Sequence, residues 1–271
     1  MDGETTEVRA ADETMRPALT LARLIEAVET PNVKRWLSNV YVSRKFDYVF
    51  VSNPKAACSS IKHKLFELES PSSVKWRGKV SVHAHEFSPL LGLAHFLDDE
   101  AEAGRPRRSF CIVRNPFTRL FSAHTDKIRR DSSHKSQIAR ALGLPPSTPG
   151  VEIDFADFVR AIASMDDDAL DGHWGVQTRR LALDRFAYDF VGAFERLDED
   201  LSRALVPAGV PAEALSALPR RNRTRPDTTL ADVLDDATAD LIRKKYAADF
   251  RLLGYSEDPA EASAPPTLTG L

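Results

Sequence analysis

Cysteine is scarce: only Cys58 and Cys111 occur in 271 residues, too few for a disulfide-stapled fold, which points to a reducing compartment. Long apolar runs are missing as well, so nothing in the chain reads as a signal peptide or a membrane span. Charge of one sign is not in excess. With a formal net charge of −3 there is no bulk attraction to nucleic acid, and any anion site must be a local concentration of Lys and Arg. Internal repeats are absent. Glycine is missing between Val49 and Lys64, which excludes the Gly-x-x-x-x-Gly-Lys-Ser/Thr nucleotide loop there.

What stands in that stretch is Tyr48-Val-Phe-Val-Ser-Asn-Pro-Lys-Ala-Ala-Cys-Ser-Ser-Ile61, an apolar strand that enters a turn of small residues around Lys55 and then a helix. The first turn of a helix leaves backbone N–H groups without intrahelical partners, and its dipole adds partial positive charge, so the segment predicts an anion site with Lys55 as its full charge. A second unit of the same kind follows. Phe110 to Val113 reads as a strand, Asn115-Pro116 as the turn, and Phe117, Leu120, Phe121, His124 and Ile128 as one buried helical stripe. Pro116 suits the first helical position, and Arg114 is placed at the carboxyl end of its strand, with Ser122 up to two turns into the helix. Arg119 and Lys127 face ambiguously, and a carboxylate partner is expected for Arg119; His124 is expected to be structural.

Pro-Lys-x-x-x-Ser-Ser followed by Arg-x-Pro-x-x-Arg-x-x-Ser-x-x-x-x-Lys resembles the two cofactor signatures of sulfotransferases that use 3′-phosphoadenosine 5′-phosphosulfate (PAPS), and is most similar to the carbohydrate sulfotransferases of chondroitin and dermatan type. Asp171-Gly-His-Trp-Gly-Val-Gln177, Tyr188 to Asp200 and Tyr246 to Tyr255 resemble further elements of that family, so the likeness runs in order from Phe46 to Tyr255. It implies transfer of a sulfuryl group by in-line displacement to a hydroxyl on a carbohydrate or a glycosylated small molecule, with no metal and with 3′-phosphoadenosine 5′-phosphate (PAP) as product. The 5′-phosphosulfate would be held by Pro54, Lys55, Ala57, Cys58, Ser59 and Ser60, with Lys55 also catalytic. Arg114 and Ser122 would hold the 3′-phosphate, joined by Arg221 and Arg223 from the basic run Arg220 to Arg225. His83 and His85, in Val-His-Ala-His-Glu, are the expected base, with Glu86 behind them, since a pKa near working pH suits proton abstraction. His173 and Trp174 would line the acceptor site.

The resemblance also implies the fold: a P-loop-like three-layer α/β domain with a central parallel sheet flanked by helices, and ligands at the strands' carboxyl ends. One domain is expected over 17–256, starting with an amphipathic helix at Pro17 to Glu29, between a disordered 1–16 and a flexible tail at 257–271. Between Arg130 and Val151 the sequence turns polar and then Pro-rich, a loop, after which Asp154 is placed to cap a helix burying Phe155, Phe158, Val159 and Ile162. The relatives are mostly Golgi membrane proteins, whereas this chain reads as a soluble, cytoplasmic, bacterial member with no nucleic-acid or membrane partner. Two other classes fit the anion loop: a nucleotide-dependent phosphotransferase, and a non-catalytic nucleotide-binding protein.

Overall fold

A computed structural model of the protein describes residues 38–70, 90–92, 107–129, 133–144, 152–215 and 228–268. His83, His85, Glu86, Arg221, Arg223, the segment 17–29 expected to be a helix and the Pro-rich stretch at 145–151 lie outside the described residues.

The chain forms β1 (Val40–Val42), β2 (Tyr48–Val51), α1 (Cys58–Glu69), β3 (Leu91–Gly92), β4 (Arg108–Val113) and α2 (Pro116–Ala123). A wide π-helical turn, His124–Ile128, continues α2, followed by α3 (Ser133–Ala141), α4 (Phe155–Ser164), α5 (Gln177–Arg180) and β5 (Phe190–Ala193). Then come α6 (Leu197–Leu205), α7 (Asp236–Lys245) and α8 (Ala247–Leu253).

The sheet runs β3-β1-β2-β4-β5. Its functional half is parallel, β2 to β4 and β4 to β5, whereas β1 pairs antiparallel with both β2 and β3. The three strands legible in the sequence are therefore the parallel half, and the expected parallel sheet carries an antiparallel extension. The reason is connection length: parallel neighbours need a helix-length crossover, while β1 returns into β2 through the five residues between them, which permits only a hairpin.

Strand alternation divides the core into two layers. Val49, Val51, Cys111 and Val113 face one side with α2, α4 and α7, while Tyr48, Phe50, Phe110 and Ile112 face the other with α1 and α6. The Phe50 and Phe110 rings lie 5.0 Å apart across the β2–β4 pair. This is the expected three-layer arrangement. Both expected helix caps form: Asn115 Oδ1 accepts from Phe117 N at 2.9 Å ahead of Pro116, and Asp154 Oδ1 accepts from Asp157 N at 2.7 Å. His124 is buried, with Nε2 2.9 Å from Ile153 O and its ring between Phe155 and Phe158, a structural place as expected.

The segment expected to be a loose tail is described as far as residue 268, and there it folds back. Thr267 N donates to Gly254 O at 3.0 Å and Ala262 is buried. Gly254, at φ 67°, closes α8 in the left-handed conformation, and an added Cβ would lie 2.1 Å from Thr267 O.

Candidate active site

The loop between β2 and α1 is shaped without glycine. Lys55 and Ala57 both take left-handed backbone angles, φ 69° and 59°, which for residues bearing a Cβ costs about 1–2 kcal/mol each. The surroundings must hold them there, and they do. Asn53 Nδ2 donates to Ile112 O at 3.1 Å and to Gln177 Oε1 at 2.8 Å; Arg119 Nε donates to Pro54 O at 3.0 Å; Arg114 Nη1 donates to Lys55 O at 3.1 Å. Ala57, at the N-cap, offers no side-chain oxygen to α1, whose first residues are Cys58, Ser59 and Ser60 and whose N-terminal end faces the loop.

The two sequence motifs thus meet: Arg114 and Arg119, from the end of β4 and from α2, grip the backbone of the Lys55 loop. Arg114 also donates from Nε to Thr118 Oγ1 at 3.1 Å and lays its guanidinium 4.0 Å from the centre of the Phe194 ring. Burial pulls its pKa down to about 10, with Glu195 and Tyr255 opposing, so it stays a cation at neutral pH. Ser122, one turn beyond Thr118 on the same helix, is half-buried. Arg119 differs from expectation. It is buried and braces the site through carbonyls instead of a carboxylate, donating also from Nη1 to Gly175 O at 2.8 Å and from Nη2 to Gly172 O at 3.1 Å.

Lys55 Nζ pairs with Asp126 Oδ2 at 3.1 Å, and Lys127 Nζ reaches the same oxygen at 3.3 Å. Burial lowers the Lys55 pKa and Asp126 opposes it. Burial by itself would raise Asp126, but Lys55 and Lys127 hold it below the usual carboxylate range. Sequence reasoning missed Asp126. It faces Lys55 from the π-helical turn, which shifts the helical phase by a residue and has no signature in the sequence.

The fully buried Gln177 closes the Asp171-Gly-His-Trp-Gly-Val-Gln177 motif. Its Oε1 accepts from Arg114 N at 3.0 Å as well as from Asn53, and its Nε2 donates to Arg114 O at 2.8 Å, locking the ends of β2 and β4 together. Behind it Asp249, also fully buried, accepts from Gln177 N at 2.9 Å and Thr178 N at 2.8 Å. Glu195 accepts from Asn115 N at 3.0 Å and Tyr255 OH at 2.7 Å, tying α2's start to the turn after β5 and to the C-terminal segment. Burial raises the pKa of both carboxylates against these hydrogen bonds. Neither carboxylate was singled out, although the last two resembling stretches contain them.

Of the expected acceptor-lining pair, Trp174 is corrected. It is fully buried, edge-on to Phe158 at 5.5 Å, and its carbonyl accepts from Tyr246 OH, so the side chain is core packing. His173 is half-buried, with backbone N and ring Nδ1 at 2.9 and 2.6 Å from Asp171 Oδ1. His134 Nε2 stands 3.9 Å from Asp171 Oδ2, and its ring is edge-on to His173 at 5.0 Å. Among the described residues this is the one group of three side chains of metal-ligand type, and its shortest contact is a hydrogen bond between two of its own members.

Comparison with known proteins agrees with this geometry. The pattern described as "Sulfotransferase family" matches residues 38–256. The chain belongs to the sulfotransferase family. Among its relatives, this family member is 27% identical to human carbohydrate sulfotransferase 14 over 81% of its own length and 60% of the relative's. The mouse counterpart is 26% identical over 62% of this chain and 46% of the relative. Carbohydrate sulfotransferase 10 of Xenopus laevis is 28% identical over 90% of this chain and 75% of the relative. The chain thus spans about half to three quarters of the relatives it matches. No solved structure matches it. Among the described residues no helix is long and apolar enough to cross a membrane.

Proposed function

We propose that the protein is a sulfotransferase moving a sulfuryl group from PAPS to a hydroxyl of a carbohydrate acceptor. The observation that carries this is the hydrogen bond from Arg114 Nη1 to Lys55 O, which puts the cation of the second motif against the anion loop of the first. When bound, the nucleotide supplies an activated sulfuryl group and a phosphate leaving group. Lys55 offers a mobile point charge where negative charge builds on the leaving side, and the open first turn of α1 with Ser59 and Ser60 offers donors for the terminal oxygens. Arg114, buried on one side by Phe194, offers a directional cation for the 3′-phosphate, with Ser122 on the next turn and Arg221 and Arg223 as further contacts.

Positioning and electrostatics dominate this kind of transfer, so charge supplied by Lys55 and backbone N–H groups serves it with no metal ion. The relatives' names support a carbohydrate acceptor. The free thiols Cys58 and Cys111 support the expected cytoplasmic setting.

The test is turnover of radiolabelled PAPS with desulfated chondroitin, desulfated dermatan and nitrophenyl glycosides as acceptors, on wild type and Lys55→Ala. A loss of about 10²–10³-fold in kcat at saturating PAPS is expected of the variant. Wild type that transfers no label, or a variant altered only in affinity, would contradict the proposal; in the second case the chain is a nucleotide-binding protein.

A further inference from the structure

β4 and β5 pair in parallel with Val113 opposite Ala193, so the residues that leave the two strands, Arg114 and Phe194, emerge side by side at the carboxyl edge of the sheet. Phe194 is half-buried and packs against the core layer of α1 and α6, and the Arg114 guanidinium lies 4.0 Å from the centre of its ring. The core therefore anchors the ring, and the ring in turn supports the cation.

Two hydrogen bonds hold the same guanidinium in its plane: Nε donates to Thr118 Oγ1 and Nη1 to Lys55 O, each at 3.1 Å. An arginine carries five N–H donors in a rigid fork, and among the described residues neither Nη2 hydrogen of Arg114 meets an acceptor. The carboxylate that acts on Arg114 electrostatically, Glu195, does not take them. One of its oxygens accepts from Asn115 N at 3.0 Å and the other from Tyr255 OH at 2.7 Å. A guanidinium in a purely structural place looks like Arg119 instead, with Nε, Nη1 and Nη2 all donating to backbone carbonyls. Arg114 is a cation fixed in orientation, with the neighbouring carboxylate turned to other donors, an arrangement suited to an anion that comes from outside the chain.

We propose that Phe194 sets the nucleotide specificity of the site: with Thr118 it fixes the plane of Arg114 so that the fork meets the oxygens of a 3′-phosphate, an inference that rests on the sulfotransferase reading above. Phe194 does not touch the phosphate; it is a positioning residue acting through Arg114. A flexible arginine must lose rotamer freedom to make a two-pronged contact with a phosphate, and a fork oriented beforehand loses less of it on binding. An aromatic ring orients the fork better than an aliphatic side chain, because its face is flat and carries the negative side of the ring quadrupole. The ligand class that gains is a nucleotide phosphorylated on the 3′ oxygen, and a nucleotide without that group gains nothing.

The experiment is calorimetric titration with PAP and with adenosine 5′-monophosphate of wild type, Phe194→Leu, Phe194→Tyr and Thr118→Val, read as the ratio of the two Kd values. Phe194→Leu is expected to weaken PAP by about three- to thirtyfold and adenosine 5′-monophosphate by less than about twofold, so that selectivity for the 3′-phosphate falls. Phe194→Tyr keeps the ring face and is expected to hold the ratio within about twofold of wild type. Thr118→Val keeps the shape of the side chain but removes the acceptor of Arg114 Nε, and lowers the ratio in the same direction; it decides the matter should Phe194→Leu not fold. Lost packing alone would weaken both ligands alike and leave the ratio unmoved. If wild type binds PAP no better than adenosine 5′-monophosphate, the sulfotransferase reading falls and this inference with it. If wild type prefers PAP and the ratio is unchanged in Phe194→Leu, or in Thr118→Val where that is the variant that folds, only the role of Phe194 is overturned. A ratio lost as fully in Phe194→Tyr as in Phe194→Leu overturns it too, since the ring face would then not be what orients Arg114.

Discussion

Lys55 Nζ and Asp126 Oδ2 stand 3.1 Å apart, so the lysine that marks the anion loop is held by a carboxylate from the helical segment of the other cofactor motif. An incoming 5′-phosphosulfate must compete with Asp126 for that cation. The same carboxylate keeps Lys55 charged against the pull of burial.

Asp126→Asn is therefore expected to tighten PAP binding by about three- to tenfold, since a negative charge leaves the edge of an anion site. The gain should shrink as salt is raised, because Asp126 is partly exposed. Calorimetric titration at two ionic strengths measures both. Unchanged affinity at low salt would mean that Lys55 does not meet the nucleotide.

Arg119 is expected to act on stability. Arg119→Met would leave the carbonyls of Pro54, Gly172 and Gly175 without their donor in a buried site, at a cost of about 3–5 kcal/mol. For a domain of this size that corresponds to a thermal midpoint lower by about 6–20 °C, readable by calorimetry. A shift of a degree or less would show that the clamp is not structural.

Stability should also carry a pH signature from Asp171. Its folded pKa lies below the ordinary 3.8, so its contribution is fully present above that value. It is lost as pH falls, because the unfolded chain takes up the proton first. Urea midpoints of wild type and Asp171→Asn should differ at pH 7, and the gap should begin to narrow only once pH falls below 3.8. A constant gap below that pH would mean that Asp171 gains nothing from its ionised hydrogen bonds to His173.

Much of this site was legible because chemistry and periodicity coincide at strand ends. Lys55 and Arg114 each follow a β-type apolar run and precede a helical one, and Asn115-Pro116 and Asp154 are caps whose residue types state their role. Other parts depend on phase or on contacts between distant segments. Asp126 reaches Lys55 only through the π-helical turn, and Asp249 meets Gln177 across 72 residues of sequence. Trp174 follows His173 directly yet turns into the core, because the Asp171–Gly175 turn sends successive side chains in different directions. The antiparallel edge was missed because β1 and β3 have three and two residues, too short for an alternation to register.

The proposed nucleotide site depends on the meeting of the Lys55 loop and Arg114. Calorimetric titration of wild type and Arg114→Ala with PAP, beside ATP and adenosine 5′-monophosphate, tests it without a known acceptor. The expected result is micromolar binding of PAP by wild type, far weaker binding of the two ligands that lack the 3′-phosphate, and loss of PAP binding in the variant. Equal binding of PAP and adenosine 5′-monophosphate, a preference for ATP with Mg²⁺, or full PAP affinity in Arg114→Ala would contradict it.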